Sequence, residues 1–238
     1  MNLHAGRANL LLGGSVKLLL APAGVFQGLI DHPGVVHQFC NHQALVILRN
    51  DGFIKPADFF QRYLPELNAG AYWADEGWKN VGHYLDLGTK KGLWRFPTAL
   101  DEFGEYFGRA LGLVSQGDWH KGLFFLGAAA HLVQDLCVPQ HARGKLLSGH
   151  QKYEAWVGRQ YHKFAVDLEG AYISEPKAYA LLLKNAEVAA DFLNWVEGSA
   201  SQQEYTKATK VLLERAQRTT AGLLLQFYTV VGARLMVA

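Results

Sequence analysis

Apolar residues recur at helical spacing along most of this 238-residue chain, and alternating strand patterns are nearly absent. A chain of that kind has to bury its apolar stripes against other helices, because it has no sheet to pack on. The runs are 37–51, 56–75, 97–114, a helix opening near Trp119, then 150–169, 175–198 and 201–235. Pro56 suits a helix start, and Pro139 is expected to end the Trp119 helix within a residue or two. The pattern predicts one all-α domain of about seven helices. Half the residues are apolar and 12% are aromatic, enough for a substantial core.

The Trp119 helix poses the chemical question. Its stretch FFLGAAAHLVQDLCVPQHARG (124–144) is made of Phe, Leu, Ala and Val, yet it carries His131, Asp135 and His141. Ionisable groups on an apolar face are costly unless they are paired or hold a metal. His131 and Asp135 are four apart and share a face. Gly127 and the alanines at 128–130 allow another helix to come close and bring further ligands. His141 follows the Pro139 break and can point back to the same region. His150 and Glu154 repeat the i, i+4 spacing on the next helix. One His–carboxylate pair alone is usually a satisfied core residue or a solvated face. Two pairs within 24 residues, with a third histidine between them, point to a metal site. Imidazole nitrogen and carboxylate oxygen without thiolate suit Zn²⁺.

Other chemistries fit worse. HExxH, ExxH, GxSxG, Walker and GxGxxG motifs are all missing. Cys40 and Cys137 lack CxxC spacing; they read as two free buried thiols, with one disulfide between them as the alternative. A net charge of +2 without a long basic run argues against a stable nucleic-acid partner. Residues 1–23 read either as an export signal cleaved after Ala23 or as an N-terminal tail, with the helical domain over 24–238. The first reading makes the protein secreted or periplasmic. No later run reaches the ~18 apolar residues of a membrane span.

The segment HLVQDLCVPQHARGKLLSGHQKYEAWV resembles the core of the bacterial zinc-dependent phospholipases C, the family of the clostridial alpha-toxin catalytic domain. That core reads HxxxDxxxxxH and then HxxxE, and the family is similar in its helical fold to the S1/P1 nucleases. GVVHQFCNHQALVILRND resembles the family's first helix and places His37 on a ligand position. ELNAGAYWADEGWKNVGHYLD resembles the segment with an Asp ligand and then a His ligand, here Asp75 and His83. RAQRTTAGLLLQFY resembles the closing helix. The resemblance spans roughly residues 26 to 233. It implies two or three zinc ions. Asp75, His83, His131 and Asp135 would hold one. His141, His150 and Glu154 would hold a second, and His37 with a bridging Asp135 would contribute to a third. His32 and His42 could each take the place of His37 but fit the first-helix pattern less well, and His4, His120 and His162 are left as structural or surface residues.

Two positions depart from the family. It completes its third zinc with an N-terminal Trp, where this chain has Phe26. Its choline-selective members place an aromatic residue directly after the Asp ligand, where this chain has Glu76, with Trp78 nearby. The resemblance implies a monomeric phosphodiester hydrolase that touches a membrane surface transiently and cleaves a phospholipid to diacylglycerol and a phosphorylated head group. Asp75 is the candidate general base. An S1/P1-like nuclease would want a basic groove with stacking aromatics. A non-catalytic zinc-stabilised module would close each ion with four protein ligands. Eight candidate ligands for two or three ions leave positions open for water.

Overall fold

The computed structural model describes residues 34–173 and 177–237, with side chains up to 233. The segment 1–23, together with His4, Phe26 and His32, lies outside the described residues. Ten α-helical segments and two short 3₁₀ turns follow one another, and no strand occurs among the described residues. Only an isolated antiparallel bridge joins Asp86 to Lys91. Residues from Gly34 onward form one compact unit. No helix among the described residues is long and apolar enough to cross a membrane.

The first four helices are α1 (Val35–Asn50), α2 (Ile54–Arg62), α3 (Leu64–Asp75) and α4 (Ala99–Ser115). The expected single run over 56–75 is two helices. Pro65 has no N–H to offer the Gln61 carbonyl, and its ring crowds that carbonyl, so the chain breaks at Tyr63 and restarts. Helix α4 opens on a capping box. Thr98 Oγ1 accepts from the Asp101 N–H at 3.2 Å, and Asp101 Oδ2 accepts from the Thr98 N–H at 2.8 Å.

Helix α5 (Trp119–Asp135) is the central rod, buried along one unbroken stretch from Phe125 through Asp135. It packs on α3 and α4. The small stripe has the use expected of it. A Cβ at Gly127 would overlap the Leu67 carbonyl oxygen, and one at Gly70 would overlap the Phe124 carbonyl oxygen. The two glycines therefore let the backbones of α3 and α5 touch, which brings Asp75 on one helix near His131 on the other. Gly127→Ala is expected to lower stability by about 1–3 kcal/mol through overpacking. At about 2–4 °C per kcal/mol, a thermal melt resolves this. An unchanged melting temperature would show that the crossing can open without cost.

Helix α5 ends at Asp135, earlier than Pro139 alone requires. Pro139 opens its own short helix, α6 (Pro139–Ala142), and Val138 before it is extended at φ −94°, ψ 123°. The chain turns over 136–138, with the Val138 N–H donating to the Asp135 carbonyl at 2.7 Å. Helix α7 (His150–Gln160) and a 3₁₀ turn (Tyr161–Phe164) cover the first part of the run expected over 150–169. The run 175–198 yields α8 (Tyr179–Ala190) and the short α9 (Leu193–Val196). Helix α10 (Gln202–Val237) closes the fold against α1, α5 and α8.

Candidate metal centre

The centre forms where the C-terminal end of α5 meets α1, α3, α6 and the crossing loop 76–98. His131 and Asp135 stack on one face of α5, and both are buried. The loop delivers His83 just after a 3₁₀ turn (Lys79–Gly82). Two backbone hydrogen bonds tie it down: the Leu85 N–H donates to the His141 carbonyl at 2.9 Å, and the Ala99 N–H donates to the Tyr84 carbonyl at 3.1 Å.

Asp135 is the hub. Its Oδ2 lies 2.8 Å from His83 Nδ1, 3.0 Å from His131 Nε2 and 3.6 Å from His141 Nδ1. Its Oδ1 lies 3.6 Å from His37 Nε2. Burial opposes its charge, yet His131 and His141 hold the carboxyl well below the usual carboxylate range. Burial pulls His83 and His37 down from the ordinary histidine value, so at neutral pH these rings are uncharged and each keeps a lone pair. His131 is raised because the Asp135 carboxylate outweighs the cost of burying its charge.

A second cluster sits beside the first. His150 and Glu154 face each other on α7, with Nε2 2.7 Å from Oε1. His141 Nε2 lies 2.9 Å from His150 Nε2 and 3.8 Å from Glu154 Oε1. Burial works against charge on His141, but Asp135 and then Glu154 raise it to about 9. Its Nδ1 donates to the His83 carbonyl at 3.1 Å, so Nε2 is the nitrogen that would lose its proton to solvent and offer its lone pair to a metal. Tyr84 stacks flat on the His141 ring, with centroids 4.4 Å apart and planes 6° apart.

The eight side chains anticipated from sequence are brought together in three groups: His37, His131 and Asp135; Asp75, His83 and His131; and His141, His150 and Glu154. Within each group the potential ligand atoms lie within 4.8 Å of one another. His131 takes part in two groups. The donor set fits a cation on a further ground. Among the described residues, His83 Nε2 and His131 Nδ1 are buried with no hydrogen-bond partner, and buried polar atoms are rarely left so. The thiols contribute nothing: Cys40 and Cys137 are free and buried, and burial pushes Cys137 up to about 12. His42 and His162 are exposed, and His120 pairs with Glu66 at the surface at 2.7 Å.

Two contributors went unread in the sequence. Tyr84 gave no sign beyond following His83. Gln134, a polar residue beside Asp135 on an apolar helix and three after His131, did carry a signal.

The sequence model of the family described as zinc dependent phospholipase C matches residues 36–209, which include all eight side chains. No curated protein sequence gives a significant match. Among solved structures, alpha-toxin from an avian strain of Clostridium perfringens superposes with a TM-score of 0.72 at 19% identity, covering 83% of this chain and 64% of that one. Alpha-toxin from Clostridium absonum gives a TM-score of 0.75 at 18% identity, covering 82% and 63%. This chain therefore matches just under two thirds of either toxin, and at these identities the likeness is one of fold.

Proposed function

Because the chain belongs to the zinc-dependent phospholipase C family, we propose that it is a phosphodiester hydrolase that cleaves a phospholipid to diacylglycerol and a phosphorylated head group at this centre, with two or three zinc ions held by His37, Asp75, His83, His131, Asp135, His141, His150 and Glu154. The observation that carries the reading is the convergence of these eight side chains, from six separate chain segments, into three adjoining groups. Zinc held by these residues would polarise the phosphoryl oxygen and lower the pKa of a bound water toward about 7.

The chain's own residues do the rest. His83 and His37 offer uncharged nitrogens. Asp135 supplies a buried negative charge that the surrounding rings keep ionised. Asp75, at the end of α3, is half-buried and belongs to the same group as His83 and His131, where its carboxylate can orient the attacking water and accept its proton. Glu76 is exposed beside it and offers a carboxylate to a cationic head group.

The loop that delivers His83 also supports contact with a lipid surface. Beyond the buried Leu93 it exposes Lys90, Lys91, Trp94, Arg95 and Phe96, with Trp94 58% exposed. Aromatic rings with flanking cations favour the bilayer interface. Trp94→Ala is expected to slow hydrolysis of vesicle phospholipid by tenfold or more in order of magnitude, while a soluble short-chain phospholipid is cleaved at the parent rate. Equal losses on both substrates would remove the loop from membrane contact. A secreted or periplasmic monomer suits such a substrate.

The experiment that tests the whole reading is a metal count on purified protein, paired with a phosphodiester panel before and after chelation. At least two zinc ions per chain are expected, with phospholipid cleaved and activity lost on chelation. A zinc count of none or one, or cleavage of single-stranded nucleic acid in preference to phospholipid, would overturn it.

A further inference from the structure

Gln134 is buried next to Asp135 and makes three side-chain hydrogen bonds. Their directions follow from one end. The Ala216 carbonyl can only accept, so the Thr220 hydroxyl, 2.7 Å away, donates its proton there. Thr220 Oγ1 is then an acceptor toward Gln134 at 3.1 Å, and the atom facing it is the amide nitrogen. The second proton of that nitrogen reaches Asn41 Oδ1 at 3.0 Å. Asn41 is oriented consistently, because its own amide nitrogen donates to Asn68 Oδ1 at 3.1 Å. The amide oxygen of Gln134 is left facing His37 Nδ1 at 2.8 Å. An amide oxygen can only accept, so Nδ1 carries the proton. In the neutral ring Nε2 is a bare lone pair, and it is the nitrogen that lies 3.6 Å from Asp135.

We propose that Gln134 is a positioning residue: the relay from Ala216 through Thr220 to Gln134 locks His37 in its Nδ1–H tautomer and aims Nε2 at the ion that His37, His131 and Asp135 would share. The relay joins three helices, since His37 and Asn41 sit on α1, Gln134 on α5, and Thr220 on α10. It does for His37 what a backbone carbonyl does for His141. Partners of this kind set ligand orientation and basicity, and their loss typically costs about 10–100-fold in metal affinity. The ion in this proposal rests on the zinc reading above; the tautomer does not.

The test therefore has two arms. The first is nitrogen-15 NMR of histidine-labelled, zinc-free parent protein, with the His37 signals identified by their loss in His37→Ala. The Nδ1–H tautomer is expected, and an Nε2–H tautomer overturns the proposal without any variant of Gln134 having to fold. The second arm is zinc titration against a competing chelator for the parent, Gln134→Leu and Gln134→Glu. The Leu variant is expected to release one zinc about 10–100-fold more easily while keeping the rest. The Glu variant retains an acceptor for Nδ1–H and is expected to recover most of that affinity. A merely structural role predicts no such rescue, because Glu loses both donated hydrogen bonds and buries a charge. Parent-like zinc retention in the Leu variant, or equal losses in both variants, overturns the proposal. A parent that shows the Nδ1–H tautomer yet binds no zinc supports the lock and overturns the metal reading, so the two failures are told apart.

Discussion

His131→Ala is expected to abolish phospholipid hydrolysis and to lower the melting temperature in the same variant. The ring is fully buried, with Nε2 3.0 Å from Asp135 and 3.2 Å from His83 Nδ1, and it lies 4.0 Å centroid to centroid from the His37 ring. It is common to two of the three ligand groups, so its loss leaves only pairs in both. Two effects on stability then add. Asp135 loses one of the charges that compensate its burial, and breaking a buried ionic contact on one side typically costs about 3–5 kcal/mol. Zinc bound to the folded state contributes further, about 2.7 kcal/mol for each site at a free concentration one hundred times its Kd, and that contribution shrinks as affinity falls. Melting curves with and without zinc separate the two effects, and elemental analysis gives the ions retained. A His131→Ala protein with parental zinc content and parental melting would remove His131 from the centre.

Helix positions could be read from the sequence because their signal is local. Apolar spacing placed α1, α4, α5 and α10 to within a few residues of their observed limits. The breaks were harder. Pro65 was visible, but its effect on the Gln61 carbonyl matters more than the unbroken apolar spacing around it. The early end of α5 depends on Pro139 starting a helix of its own as well as stopping one.

The centre divides along the same line. His131 with Asp135, and His150 with Glu154, are i, i+4 pairs whose common face is set within one helix. The other members come from elsewhere in the chain. Asp75 and His83 were placed through resemblance to a family, because their approach to His131 depends on how closely α3 packs on α5 at Gly70 and Gly127. The relay through Gln134 joins residues 97 and 86 positions apart. Such contacts are set by helix packing, and no spacing rule within one helix expresses them.

Asp75→Asn separates the roles that geometry alone leaves joined. Asp75 is the last residue of α3, half-buried, and its carboxylate lies in the same group as His83 and His131. From there it can ligate an ion, or it can orient and deprotonate the attacking water. Asparagine keeps nearly the same shape but loses the charge and the basicity. If Asp75 is chiefly the base, the other ligands retain the metal, and the variant is folded, zinc-loaded and slower by about 10²–10⁴-fold. It would still bind a phospholipid analogue. A short-chain soluble phospholipid is the substrate of choice, because it keeps the chemistry apart from docking through Trp94 and its neighbours. Hydrolysis near the parent rate would make Asp75 a spectator. Loss of zinc in step with loss of rate would make it chiefly a ligand. The base would then be sought at Glu76, exposed one residue on, or at Glu154, which His150 and His141 keep ionised against the cost of burial.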